Sequence, residues 1–153
     1  MVAENDTAPD FKLPRDGGDS VSLSALRPAP VVLFFYPRDD TSGCTKENIA
    51  FSELYQQFLD LGVQVFGISK DSVASHEKFI AKKDLTVPLL SDENGTTCED
   101  YGVWKEKKMY GKTFMGIERS TFLIDSAGKI ARAWPKVKVD GHAEEVLEAA
   151  KAL

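Results

Sequence analysis

From residue 31 the chain runs Val31-Val32-Leu33-Phe34-Phe35-Tyr36, six apolar residues without a polar break, which predicts a strand buried on both faces. Pro37 cannot donate to a ladder and ends it. After a polar turn, Arg38 to Gly43, the apolar positions Phe51, Leu54, Tyr55, Phe58 and Leu59 fall at helical spacing and form one stripe. Gly62 supplies the stop of that helix. Val63 to Ile68 is the next strand, and Asp71 to Lys83 a second helix with Val73, Phe79 and Ile80 turned inward. Val87 to Leu90 is a short strand whose Pro88 predicts either a kink or a place near a sheet edge.

On either side the pattern is weaker. Phe11-Lys12-Leu13 and Val21-Ser22-Leu23 flank Asp16-Gly17-Gly18-Asp19, which is hairpin chemistry. Thr97 to Gly102 reads as a short helix, and Val103 to Gly116 as a mixed aromatic and basic loop. Ser120 to Ile124 and Ile130 to Trp134 are strands joined by the turn Asp125 to Gly128. A last helix starts near Gly141, with Ala143, Val146, Leu147 and Ala150 at helical spacing. This order predicts an α/β chain with crossovers on both faces of a central sheet. Reactive loops of such a sheet lie at the carboxyl ends of its parallel strands, where residues 37 to 44 fall.

With 153 residues and no linker or repeat, one domain over residues 1–153 is expected. A net charge of −5 argues against nucleic-acid binding, which usually goes with a basic patch, so no nucleic acid is expected as a partner. No apolar run approaches the ~18 residues of a membrane span. Met1 to Asp10 has neither a basic flank nor an apolar core, so no targeting segment is read and a cytoplasmic location is expected. Two cysteines make no disulfide framework, which fits a reducing compartment. His76 and His142, the only histidines, fall on predicted helices away from residues 37 to 44. They read as exposed or satisfied, so neither a metal nor a cofactor is expected.

Cys44 stands where the first long helix begins. The peptide N–H groups and dipole of a helix N-terminus favour an anion, so Cys44 reads as a thiolate nucleophile. Thr41, one tight turn earlier, carries a hydroxyl that can reach the sulfur or a bound oxygen. Arg119, just before the strand Ser120 to Ile124, offers a permanent cation.

Pro37, Thr41 and Cys44 resemble the Pro-x-x-x-Thr-x-x-Cys motif of the peroxiredoxins, thiol-dependent peroxidases. Phe34 to Pro37, Asp39 to Thr41 and Gly43 to Glu47 are closer still to the bacterioferritin-comigratory, or PrxQ, subfamily. Tyr110 to Asp125, containing Arg119, is similar to that subfamily's second block, and Ala8 to Phe11 with Leu13-Pro14 to its opening. The resemblance implies a thioredoxin-like fold, with a mixed central sheet, helices on both faces and an N-terminal hairpin. It implies that Cys44 attacks hydrogen peroxide or an organic hydroperoxide and becomes a sulfenic acid. Thr41 and Arg119 would activate the reaction, Pro37 would shield the thiol, and Glu47 would orient its neighbours. The subfamily also implies a monomer or small homodimer.

This sequence has Ser42 where the subfamily often has proline. A resolving cysteine five residues after the nucleophile, or on the next helix, would fall at Ile49 or Ile80, and neither carries a thiol. The preferred reading is therefore a 1-Cys enzyme recycled by thioredoxin or another thiol. The alternatives are resolution by Cys98, the one other cysteine, or a peroxide sensor passing its oxidation to a client. A Cys-x-x-Cys reductase is excluded, because the frame reads Thr41-Ser42-Gly43-Cys44.

Overall fold

Val31 to Phe35 form the middle strand of a five-stranded mixed sheet, and every one of these side chains is buried. The computed structural model describes residues Met1–Leu153. In chain order the hairpin β1 (Lys12–Pro14) and β2 (Ser20–Ser22) precedes that strand, β3 (Val31–Phe35). Then come α1 (Ser42–Asp60), β4 (Gln64–Ser69), α2 (Val73–Lys83), β5 (Leu89–Ser91) and the one-turn α3 (Thr97–Asp100). The chain ends with β6 (Trp104–Met109), β7 (Lys112–Ile117), β8 (Ser120–Ile124), β9 (Ile130–Trp134) and α4 (His142–Lys151). The sheet order is β5-β4-β3-β8-β9, with β3 parallel to β4 and antiparallel to β8. Of the two places Pro88 predicts, the edge holds: β5 is an edge strand.

Side chains alternate across a strand, so β3 feeds two cores. Val31, Leu33 and Phe35 pack with Phe11, Leu13, Tyr101 and Phe122 on one face. Val32, Phe34 and Tyr36 pack on the other with Phe51 and Phe58 of α1, Phe79 of α2 and Val146 of α4. The expectation of crossovers on both faces is corrected here. From β3 to β4 and from β4 to β5 the chain steps in the same direction, and two right-handed crossovers then cover the same face. The opposite face is closed by the β1–β2 hairpin and α3, so helices lie on both faces but unequally.

Two contacts hold α1 in place. Phe51 stacks on Phe34 with centroids 4.3 Å apart and planes 10° from parallel. Truncating such a buried aromatic costs about 3–5 kcal/mol. Below it α4 contributes Ala143, Val146, Leu147 and Ala150 to the same core, and His142 meets Phe51 edge-on at 6.0 Å. Gly62, at φ +76°, closes the helix in a Schellman-type end, with the Val63 N–H donating to the Phe58 carbonyl at 3.0 Å.

Residues 103 to 116, expected as a loop, contain most of a separate two-stranded ribbon, β6 paired with β7. Tyr110 (φ 51°) and Gly111 (φ 75°) make the two-residue turn with both central residues left-handed, which suits hairpin twist. The ribbon stands away from the main sheet, so its sequence has no core-facing alternation to betray it.

Candidate active site

The polar turn after β3 ends at Thr41, the N-cap of α1, whose extended backbone (φ −86°, ψ 157°) starts the helix. Its hydroxyl does not cap. It donates to the Arg38 carbonyl at 3.0 Å, directed neither at the helix amides nor at the sulfur. The first-turn N–H groups thus have no side-chain cap, and Cys44, third residue of the helix, sits among them with 1 % of its surface exposed. Asn48, one turn on, donates from Nδ2 to the Cys44 carbonyl at 2.9 Å.

Arg119 reaches this thiol from the link between β7 and β8. Its Nη2 donates to Cys44 Sγ at 3.3 Å and its Nη1 to Glu47 Oε1 at 2.6 Å. Cys44 and Glu47 are three apart on one helix, so they share a face and one guanidinium can span both. The link itself is tied down: the Glu118 N–H donates to the Val103 carbonyl at 2.8 Å, and the Arg119 carbonyl accepts from Val137 N–H at 2.9 Å. Glu47 is 1 % exposed and its Oε2 has no partner. Burial pushes its carboxyl up, the charge and hydrogen bond of Arg119 pull it back, and it settles at about 7.

Gly43 leaves room for that approach. A Cβ there would lie 3.1 Å from Arg119 Nη2, so the guanidinium would have to give by a few tenths of an ångström. Pro37 follows the end of β3 and lines a cleft of about 390 Å³ with Arg38, Lys70, Trp104, Phe114 and Met115. A larger one of about 610 Å³ lies against the first turns of α4 and contains none of these motif residues.

The AhpC/TSA family model matches residues 5–133. The chain belongs to that family, and it is a peroxiredoxin. It is 53% identical over 140 residues to a putative peroxiredoxin bcp of Coxiella burnetii, covering 92% of this chain and 93% of that one. Peroxiredoxin Bcp of Xanthomonas campestris is 46% identical over 143 residues, 94% of this chain and 89% of the relative. Among solved structures, the bacterioferritin comigratory protein of X. campestris superposes with a TM-score of 0.88 at 45% identity, over 93% of this chain and 90% of that one. A Xylella fastidiosa PrxQ mutant gives 0.93 at 42%, over 99% and 97%. The fold is the thioredoxin-like fold of the peroxiredoxins, and the chain is a peroxidase oxidoreductase.

In this peroxiredoxin Cys98 is not near the motif. Cys44 packs in the core beneath α1, whereas Cys98 is fully buried in the core on the opposite face of the sheet. Burial, then the Asp92 carboxylate that accepts from the Cys98 N–H at 2.8 Å, push the Cys98 thiol far above its ordinary range. Both cysteines are free.

His76, read as remote from the motif, is joined to it. Its Nδ1 lies 2.8 Å from Asp39 Oδ2 and its Nε2 2.9 Å from the Leu90 carbonyl. A carbonyl only accepts, so Nε2 carries a proton. Asp39 also accepts from the Tyr36 hydroxyl at 2.6 Å and the Ser75 hydroxyl at 2.8 Å, while its N–H donates to Asp71 at 2.8 Å. Asp39, Asp71 and His76 bring their ligand-type atoms within 4.8 Å of one another, but hydrogen bonds already engage them. The cluster ties the motif loop to α2 and β5. Sequence spacing gave no hint of it, since Asp39 and His76 are 37 residues apart.

Lys107, in the stretch expected to be a mixed aromatic and basic loop, is the other residue missed. Alone among Lys105 to Lys108 it is partly buried, and its Nζ donates to the Ile117 carbonyl, two residues before Arg119. Its stem passes over Gly116 and it lines the cleft beside Pro37. Recognising β6 as a strand would have shown that alternate residues face different ways. His142 is satisfied: its Nε2 lies 2.8 Å from Thr121 Oγ1, and burial, then the charge of Arg119, pull the ring down to about 4. No helix is long and apolar enough to cross a membrane.

Proposed function

We propose that this peroxiredoxin reduces hydrogen peroxide and organic hydroperoxides at Cys44 in a 1-Cys cycle, with thioredoxin or another thiol as electron donor. The observation that carries the reading is the Arg119 guanidinium donating at once to Cys44 Sγ and to Glu47. In the first step the thiolate attacks one peroxide oxygen, an S–O bond forms and the O–O bond breaks. The other oxygen leaves as alkoxide or hydroxide, takes a proton from solvent, and departs as alcohol or water. Arg119 stabilises the charge that develops across the breaking bond, together with the uncapped amides of α1. Thr41 turns its hydroxyl from the Arg38 carbonyl to the bound oxygens, Pro37 shields the sulfur, and Glu47 holds the guanidinium in register. The X. campestris relative is described by its alkyl peroxide reduction activity, which supports an organic peroxide as substrate here.

In the second step an external thiol attacks the sulfenic sulfur, water leaves, and a second thiol releases Cys44 from the mixed disulfide. The 1-Cys reading is supported by the placement of the two sulfurs on opposite sides of the sheet and by the depressed acidity of Cys98. The working form in this reading is a single-domain monomer or small homodimer in the cytoplasm.

Mass spectrometry after one equivalent of peroxide tests it. Parent and Cys98→Ser should both carry one added oxygen on Cys44, and Cys44→Ser none. A Cys44–Cys98 disulfide in the parent would overturn the 1-Cys cycle, and oxidation of Cys44→Ser at the parent rate would overturn the site.

A further inference from the structure

A sulfenic acid at Cys44, with the other sulfur across the sheet, requires a visiting thiol, so some surface beside the motif must receive one. The ribbon β6–β7 is that surface's most conspicuous part. Of seven large hydrophobic residues exposed in the chain, four are here: Met109 (58 %), Tyr110 (96 %), Phe114 (43 %) and Met115 (50 %). Isolated exposed hydrophobics need no explanation, but a group of them on one element marks a contact site. The same ribbon has four lysines and one glutamate, in a chain whose net charge is −5.

The register sorts these residues. Lys107 pairs with Phe114, Lys105 with Gly116 and Met109 with Lys112, so these six share one face of the ribbon. That face is basic and apolar and has no acidic residue. It also leads to the motif, because Lys107 and Phe114 line the cleft with Pro37 and Arg38. Lys70 also lines the cleft, but its Nζ is already paired with Asp92 at 3.3 Å and Glu99 at 2.8 Å.

We propose that this face of the β6–β7 ribbon is the docking surface for the protein that reduces Cys44, a small thiol-bearing protein whose rim is apolar and acidic. The proposal rests on the peroxidase reading above. The chemistry of recognition follows from the face: apolar contact at Met109 and Phe114, with Tyr110 at the tip, and attraction between the partner's carboxylates and Lys105 and Lys112. Exposed charges around an interface act mostly on the encounter rate and are screened by salt. Small thiols need no such surface. They reach the sulfur by diffusion alone.

The experiment uses the full chain, oxidised with one equivalent of peroxide, and follows re-reduction of the sulfenic acid by reduced thioredoxin and, separately, by dithiothreitol. Two variants are compared with the parent, Lys105→Glu/Lys112→Glu and Met109→Ser/Tyr110→Ser, neither of which touches the thiol. The expected result is a fall of about tenfold or more in the thioredoxin rate for each variant. The charge variant also loses the parent's decline of rate with salt, while rates with dithiothreitol stay at the parent value and certify the fold. Unchanged thioredoxin rates overturn the proposal. So does a ribbon that binds anionic phospholipid vesicles through the same residues with reductant kinetics untouched. A parent that forms no sulfenic acid at all fails one step earlier, which removes the peroxidase reading itself and is read directly from the mass.

Discussion

A methyl group on Gly43 would lie 3.1 Å from Nη2 of Arg119, so any side chain on the residue before Cys44 would press on the guanidinium. Gly43 is inside α1 with an ordinary helical backbone, where alanine is otherwise the better residue by about 1 kcal/mol. Gly43→Ala should therefore leave thermal stability level or slightly raised while displacing Arg119 from the sulfur. Misplacement of a reacting geometry by an ångström can cost about a hundredfold in rate, and the guanidinium here has to give by a few tenths of one. Stopped-flow measurement of peroxide consumption should show a loss of up to about tenfold. A variant as fast as the parent would show that the Arg119–Cys44 contact does not matter.

Glu47 gives the protein a stability loss on the alkaline side of its acid range. Its carboxyl is raised from an ordinary 4.5 to about 7, so the folded state holds that proton more tightly than the unfolded chain. The resulting stabilisation is complete below about 4.5 and disappears as pH rises through 7. A shift of this size corresponds to roughly 3 kcal/mol. Glu47→Gln cannot titrate, so its stability measured by urea unfolding should change less than the parent's between pH 4.5 and 7.5. Identical slopes would remove the buried carboxyl from the account.

Asp39 acts in the opposite direction. Burial pushes its carboxyl up, but His76, by hydrogen bond and charge, and the Tyr36 and Ser75 hydroxyls outweigh burial and hold it below the usual range. Its contribution is present above the unfolded carboxylate pKa of ~3.9 and is lost as pH falls through the lower folded value. Asp39→Asn should flatten the acid limb of the stability profile. It should also cost about 3–5 kcal/mol at neutral pH, the usual result of removing one partner of a buried pair. Because the same carboxylate anchors the turn carrying Pro37 and Thr41, peroxide reactivity should fall with it, and normal reactivity in a destabilised variant would separate the two roles.

Cys98→Ser replaces a buried thiol that hydrogen-bonds the Asp92 carboxylate by a shorter, more polar hydroxyl whose other side faces an apolar core. The expected cost is about 1–3 kcal/mol of stability, seen as a lower melting temperature. Steady-state turnover with an external thiol should stay at the parent value. Lost turnover with retained peroxide reactivity would mean that Cys98 takes part in recycling.

The buried strand, the stripe on α1 and the thiol at its start were legible because each is written in adjacent or helically spaced residues. Arg119, 75 residues from Cys44, stood out as a cation before a buried strand, but only the family resemblance linked it to the thiol, since nothing local does. The same limit hid His76 from Asp39, whose hydrogen bond crosses from the motif loop to α2. The β6–β7 ribbon was missed for another reason. Alternation is visible only where one face is buried, and this ribbon presents lysines, methionines and aromatics to solvent on both. Its turn was hidden too, because Tyr110-Gly111 uses a tyrosine where hairpin chemistry leads one to look for asparagine or glycine.

The packing of α4 beneath α1 makes the segment His142–Lys151 a foundation for a site about a hundred residues earlier. Trimming that segment, or attaching a bulky affinity tag to it, would loosen the platform on which Cys44 rides without coming near the sulfur.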